Sequence, residues 1–161
     1  MRQTAMTQTI NSVFLDQEQL YDRDFLLWTE DIARKLRVKD FDHLDLENLT
    51  EEIEALGRSQ KKELKSRLTT LLEHLLKRLY VEMPQEYNGW ERTIREQRRQ
   101  IFLELTDSPS LKNIWDEAFN LAWQLSLKDV CEEYPNVSFH DVWLFSRDID
   151  SMLEIKFWEI N

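Results

Sequence analysis

Glu52, Ser59, Glu63, Arg67, Thr70 and His74 fall along one edge of the longest stretch of helical periodicity in this 161-residue chain, beside a row of leucines. Glu63 or Glu52 with His74 would form an acid–base pair, the equipment of a hydrolase or lyase, if an inter-helix cleft brought them together. The bland counterpart is a half-buried seam that meets Gln97 and Arg98 of a following helix and fixes register, since buried polar groups persist when paired. A seam of Glu52, Ser59, Glu63, Arg67, His74 and Arg98 is the expectation. Nothing in the pattern singles out the pair as reactive, which leans away from an enzyme.

A helical di-iron centre needs a Glu-x-x-His on each of two helices, whereas here Glu73 adjoins His74, and His43 and His140 lie outside the main helices. No metal is expected. The chain has no nucleophile elbow, glycine-rich phosphate loop, His-Glu-x-x-His or dinucleotide fingerprint, and its two glycines could not build one. No cofactor is expected either. One cysteine, Cys131, permits neither an internal disulfide nor a cysteine zinc cage.

Arg92, Arg95 and Arg99 recur at helical spacing opposite an apolar stripe, so they could grip phosphates in a nucleic-acid-associated or antitoxin-like protein. Glu91 and Glu96 flank them and no aromatic residue is interleaved on that face. A solvated face, or an ion-pair surface toward an acidic partner or the acidic C-terminal tail, fits better. Net charge is −10 but zoned: residues 1–57 sum to −7, 58–103 to +5, 104–128 to −2 and 129–161 to −6.

Helices must position these groups. Two Gly and three Pro leave too few turn formers for a many-stranded sandwich, and 161 residues suit one domain with a proper core. The expectation is an all-α bundle of four main helices, one of them long, with a short helical C-terminal segment. Residues 1–20 read as a loosely packed or disordered arm and 21–161 as a single domain. Apolar runs of at most four residues cannot span a bilayer and no leader pattern is visible, so a soluble, cytoplasmic protein without a membrane contact is expected.

Phe25, Trp28, Ile32 and Leu36 mark the first helix, capped by Asp22 and ending near Val38. The second starts at Asp45 and carries Leu46, Leu49, Ile53, Leu56, Leu64, Leu68, Leu71, Leu75 and Leu79, with Gly57 implying a close packing partner or a bend. Asn88 and Glu91 suggest a capping box for the third, whose core face is Trp90, Ile94, Ile101 and Leu105. Ser108-Pro109 opens the fourth, running to Tyr134. Leu111, Ile114, Ala118, Leu121 and Leu125 form one edge of that helix. Trp115, Phe119, Trp123, Leu127 and Val130 widen the arc, so a second side needs covering, either by the aromatic closing segment around Trp143 or by a partner copy.

The run Asp45-Leu46-Glu47-Asn48-Leu49, Glu51-Glu52-Ile53, Leu56-Gly57-Arg58-Ser59, His74-Leu75-Leu76-Lys77, Trp90 with Ile94 and Arg98, and Ser108-Pro109-Ser110-Leu111 resembles a bacterial family. That family is catalogued as domain of unknown function twenty-nine and is abundant in cyanobacteria. Tyr21, Phe25 and Trp28 fit its opening. The resemblance covers residues 21–128 and implies a compact helical bundle with no established activity. Its members usually close with a shorter segment than residues 134–161 here. Surplus aromatic surface and zoned charge point to a protein-interaction or regulatory module acting on an unknown partner or as a homodimer, through Trp123, Leu127, Val130 and Trp143 or through Arg92, Arg95 and Arg99.

Overall fold

The computed structural model describes residues 20–160. The helices in chain order are α1 (Phe25–Arg37), α2 (Leu46–Tyr80), α3 (Tyr87–Asp107), a 3₁₀ segment (Pro109–Ile114), α4 (Trp115–Glu133), α5 (Ile149–Glu154) and a closing 3₁₀ turn (Phe157–Glu159). No strand occurs among the described residues, and none of their helices is long and apolar enough to cross a membrane. The arm expected over residues 1–20 lies, apart from Leu20, outside the described residues. Contacts divide the chain after Arg58 into two compact units.

The first unit pairs α1 with the start of α2. Residues 20–23 are helical, and the chain breaks at Asp24, whose side chain accepts the Leu27 N–H at 3.0 Å; Asp24 rather than Asp22 is therefore the cap. Trp28 and Ile32 are buried against Leu44, with Tyr21 and Leu49 at the margin. Lys35 is buried beside them because its ammonium meets Asp31 at 2.6 Å. Burial centred on residues 28, 32 and 35 leaves Phe25 and Leu36 at its edge, 50% and 42% exposed, although their spacing marked them as core. Asp45 caps α2 through the Asn48 N–H at 3.3 Å, and its second oxygen accepts the Trp28 indole N–H at 3.0 Å.

At the end of α1, Lys39 takes a left-handed φ of 59°. The Lys39 N–H bonds the Leu36 carbonyl at 3.1 Å and the Asp40 N–H bonds the Lys35 carbonyl at 2.9 Å. These are the two closing bonds of a Schellman motif, in the position where glycine is usual.

The second unit holds the larger core. Leu64, Leu68, Leu71, Leu72 and Leu75 of α2 pack with Ile94, Ile101 and Leu105 of α3 and with Leu111, Trp115, Ala118, Phe119 and Ala122. Only this part of the α2 leucine stripe is enclosed: Leu46, Ile53 and Leu56 are 60%, 60% and 69% exposed. The helix runs through Gly57 without interruption, and nothing lies within 4 Å of where a Cβ would stand, so the expected close partner is not there among the described residues.

The Asn88–Glu91 box does not form. Tyr87 already opens α3, which puts Asn88 inside the helix, and Glu91 accepts from Arg78 at 2.8 Å instead. Ser108 and Pro109 do start the next segment, but as a 3₁₀ helix that becomes α-helical at Trp115, and the Ser108 hydroxyl donates to Gln60 at 3.3 Å rather than capping.

The closing segment covers α4 within the chain. Met152 and Phe157 are enclosed with Trp115 and Phe119, and the Trp143 ring lies 5.9 Å from Trp123, 5.2 Å from Phe145 and 5.1 Å from Phe157. Backbone acceptors fix it: the Trp115 indole N–H donates to the Arg147 carbonyl at 2.8 Å, and the Trp123 indole N–H to that of Asp141 at 3.1 Å. Leu121 and Leu125, expected on the core edge, are exposed, because the buried edge of α4 runs through Ala118, Ala122 and Ser126 instead.

Candidate functional site

The α2–α3 contact carries the polar seam. Arg67 is its hub: Nε donates to Glu104 at 2.6 Å, one terminal nitrogen to Gln97 at 3.5 Å, and the other pairs with Glu63 at 2.5 Å. Glu104 escaped the sequence reading, although its seven-residue spacing from Gln97 puts both on one edge of α3 and is the signal that would have found it. Its second oxygen is buried without a partner. Burial, with the Glu63 charge added, pushes the Glu104 carboxyl up against the pull of Arg67.

Beside this hub lies a cleft of about 130 Å³ lined by Gln60, Glu63, Glu104, Asp107, Ser108 and Leu111. It has room for a few waters at ~30 Å³ each, well below the ~300 Å³ of a ligand pocket. A wider depression of about 410 Å³ lies over Lys112, Trp115, Asp116, Asp148, Ile149 and Asp150. Among the described residues no three His, Cys, Asp or Glu side chains are placed to hold a metal ion.

His74 turns to its own helix, its ring Nδ1 donating to the Thr70 carbonyl at 2.8 Å. Glu63 stands eleven residues earlier, about 16 Å along the axis at 1.5 Å per residue, and is held by Arg67. Glu63 and His74 therefore do not meet. Glu52 belongs to the first unit, where it accepts the Tyr21 hydroxyl; that bond, before burial, pushes the phenol up to about 12. Ser59 is exposed. The seam is thus Glu63, Arg67, Gln97 and Glu104, without Glu52, Ser59 or His74.

Arg98 leaves the seam too. It donates to the Ile155 carbonyl at 2.5 Å, tying the closing segment to α3, while its Nε is buried without a partner. Burial lowers its guanidinium to about 10. A comparable tie joins α2 to α4, where the buried Lys77 meets Glu73 at 2.8 Å and Glu133 at 2.6 Å. Burial alone would lower the Lys77 ammonium, but the hydrogen bonds to Glu133 and Glu73 outweigh it and the net shift is upward.

The expected interaction residues separate. Val130 is fully enclosed and offers no surface, Leu127 is half-buried, and Trp123 and Trp143 lie against each other. Arg92, Arg95 and Arg99 stay exposed on α3. Arg99 pairs with Glu96 at 2.5 Å, and among the described residues no carboxylate, that of the C-terminal segment included, comes within 4.0 Å of Arg92 or Arg95.

A family profile described as "Domain of unknown function DUF29" matches residues 20–158. The chain belongs to this family. The DUF29 match takes in the closing segment, so the expectation that likeness ends near residue 128 is overturned: the aromatic cover is part of the DUF29 domain. No curated protein and no solved structure matches this DUF29 chain.

The periodicity of this DUF29 chain puts Leu46, Ile53 and Leu56 on a core stripe and leaves Leu26, Leu27 and Phe41 unmarked, whereas all six are exposed. Leu26, Leu27, Val38 and Phe41 are open on the first unit together with Leu46, Ile53 and Leu56. The outward place of Leu26 and Leu27 was readable, since they fall off the stripe that Trp28 and Ile32 set.

Proposed function

We propose that this DUF29 chain is a protein-interaction module whose first unit carries the docking surface. One observation supports this most. Between residues 20 and 58, three apolar side chains are buried, Trp28, Ile32 and Leu44, whereas nine large ones are exposed. Three enclosed apolar side chains make a small core for this stretch, and large apolar groups left open in such number mark a partner site. The acid–base alternative with Glu52 or Glu63 and His74 loses its support in the separation of these groups. The nucleic-acid or antitoxin-like alternative keeps the open row of Arg92, Arg95 and Arg99, weighed against a net charge of −10.

The test is recovery of a stoichiometric partner from native cells by the tagged chain, compared with a Leu46→Ser/Ile53→Ser variant. Both side chains are exposed, so the variant should keep its stability within about 0.5 kcal/mol while losing the partner. A wild-type chain that is monomeric and brings down nothing defeats the proposal.

A further inference from the structure

Two exposed faces of this molecule are opposite in charge and both carry unburied apolar groups. On α3, Arg92, Arg95, Arg99, Phe102 and Leu103 follow at spacings of 3, 4, 3 and 1, which holds them on one side of the helix, and all five are exposed. At the start of α2, Leu46, Glu47, Thr50, Ile53 and Glu54 follow at spacings of 1, 3, 3 and 1 and are likewise exposed. The first face runs about 17 Å and the second about 12 Å at 1.5 Å per residue. Arg92 and Arg95 have no carboxylate within 4.0 Å among the described residues. Arg99 and Glu54 pair only within their own helices, Arg99 with Glu96 at 2.5 Å and Glu54 with Arg58 at 3.7 Å.

We infer that the outer face of α3 docks on the start of α2 of a second copy of this chain. The inference rests on the docking role of the first unit and names its occupant. Like faces repel, since α3 against α3 sets arginines on arginines and α2 against α2 sets carboxylates on carboxylates. The unlike pairing neutralises both rows and lets Phe102 and Leu103 share cover with Leu46 and Ile53. A nucleic acid would engage the arginines and leave those four apolar groups in water. Each copy holds one face of each kind, so the contact is heterologous: every copy can offer one face to a neighbour and keep the other for the next, and the assembly is finite only where the rotation between copies closes.

Charge reversal on the full chain tests this by sedimentation over a concentration series at low salt. The wild type should show a mass above 19.6 kDa that rises with concentration. Arg92→Glu with Arg95→Glu, or Glu47→Lys with Glu54→Lys, should each weaken association at least tenfold. An equimolar mixture of the two variants should restore it, because each reversed face then meets its complement, and this restoration also shows that both variants fold. A wild type that stays monomeric at every concentration overturns the inference, as does association unchanged in either variant or no recovery on mixing. Wild-type retention on heparin that Arg92→Glu/Arg95→Glu abolishes, with no self-association, assigns the arginines to nucleic acid and likewise overturns it. If the monomer still captures another protein that Leu46→Ser/Ile53→Ser loses, the docking role survives and only the second copy falls.

Discussion

Arg67 shows how a single side chain separates a locking role from a reactive one. Its guanidinium is shared by Glu63, Glu104 and Gln97 across two helices, so the polar row around it fixes register, and of its two carboxylates only the second Glu104 oxygen is buried without a partner. Asp148 works the same way at the start of α5. The Ser146 hydroxyl first, then the Ser151 N–H and hydroxyl, hold its carboxyl down to about 2 from 3.8. A carboxyl depressed in the folded state stabilises it at pH values above the ordinary pKa and loses that effect as pH falls through the lowered one. The closing segment is therefore expected to loosen between about pH 4 and 2, followed by near-ultraviolet circular dichroism of the Trp143 cluster, and Asp148→Asn should remove the step. Arg67 and Glu63 were legible in the sequence because helical spacing puts both on one edge. The fate of His74 was not, since only the folded helix shows its ring turned back to Thr70.

Two elements carry residues at odds with their backbone. Gly57 lies inside α2 with open space around the missing Cβ, where glycine costs ~1 kcal/mol relative to alanine. Lys39 holds a left-handed φ that a side chain disfavours by ~1 kcal/mol or more. Gly57→Ala and Lys39→Gly are each expected to raise stability by about 0.5–1 kcal/mol, read as a higher urea midpoint at unchanged slope, and additively because nothing lies within 4 Å of the Cβ added at Gly57. Helix number, order and the long α2 were readable from period and from Pro84, Ser108-Pro109 and Pro135. The starts were less so, because Asp22, Asp24, Asn88 and Glu86 offer competing caps within a turn of one another and packing chooses among them. The 3₁₀ opening of the fourth helix has no sequence marker beyond Pro109.

At the scale of the molecule, the closing segment turns the Trp115–Phe119 side of the widest apolar arc, on α4, into core, while Leu121, Leu125, Val142 and Leu144 stay exposed. Open apolar side chains are densest along the described residues of the first unit, where composition alone gave no hint because Leu46, Ile53 and Leu56 continue the same stripe as Leu64, Leu68 and Leu71. A leucine stripe records the face that could be buried and not how far along the helix a neighbour reaches. α2 is consequently one rod with two environments: residues 46–58 lean on three enclosed side chains, while residues 64–77 line the main core. Amide protons exchange with solvent at rates set by how easily their segment opens. In deuterated buffer the first stretch should lose protection long before the second, with a step near Gly57 and no break in the helix to mark it, and binding to residues 46–54 should slow the first stretch alone. A uniform exchange profile from Leu49 to Leu75 would mean that the helix opens as a single cooperative piece.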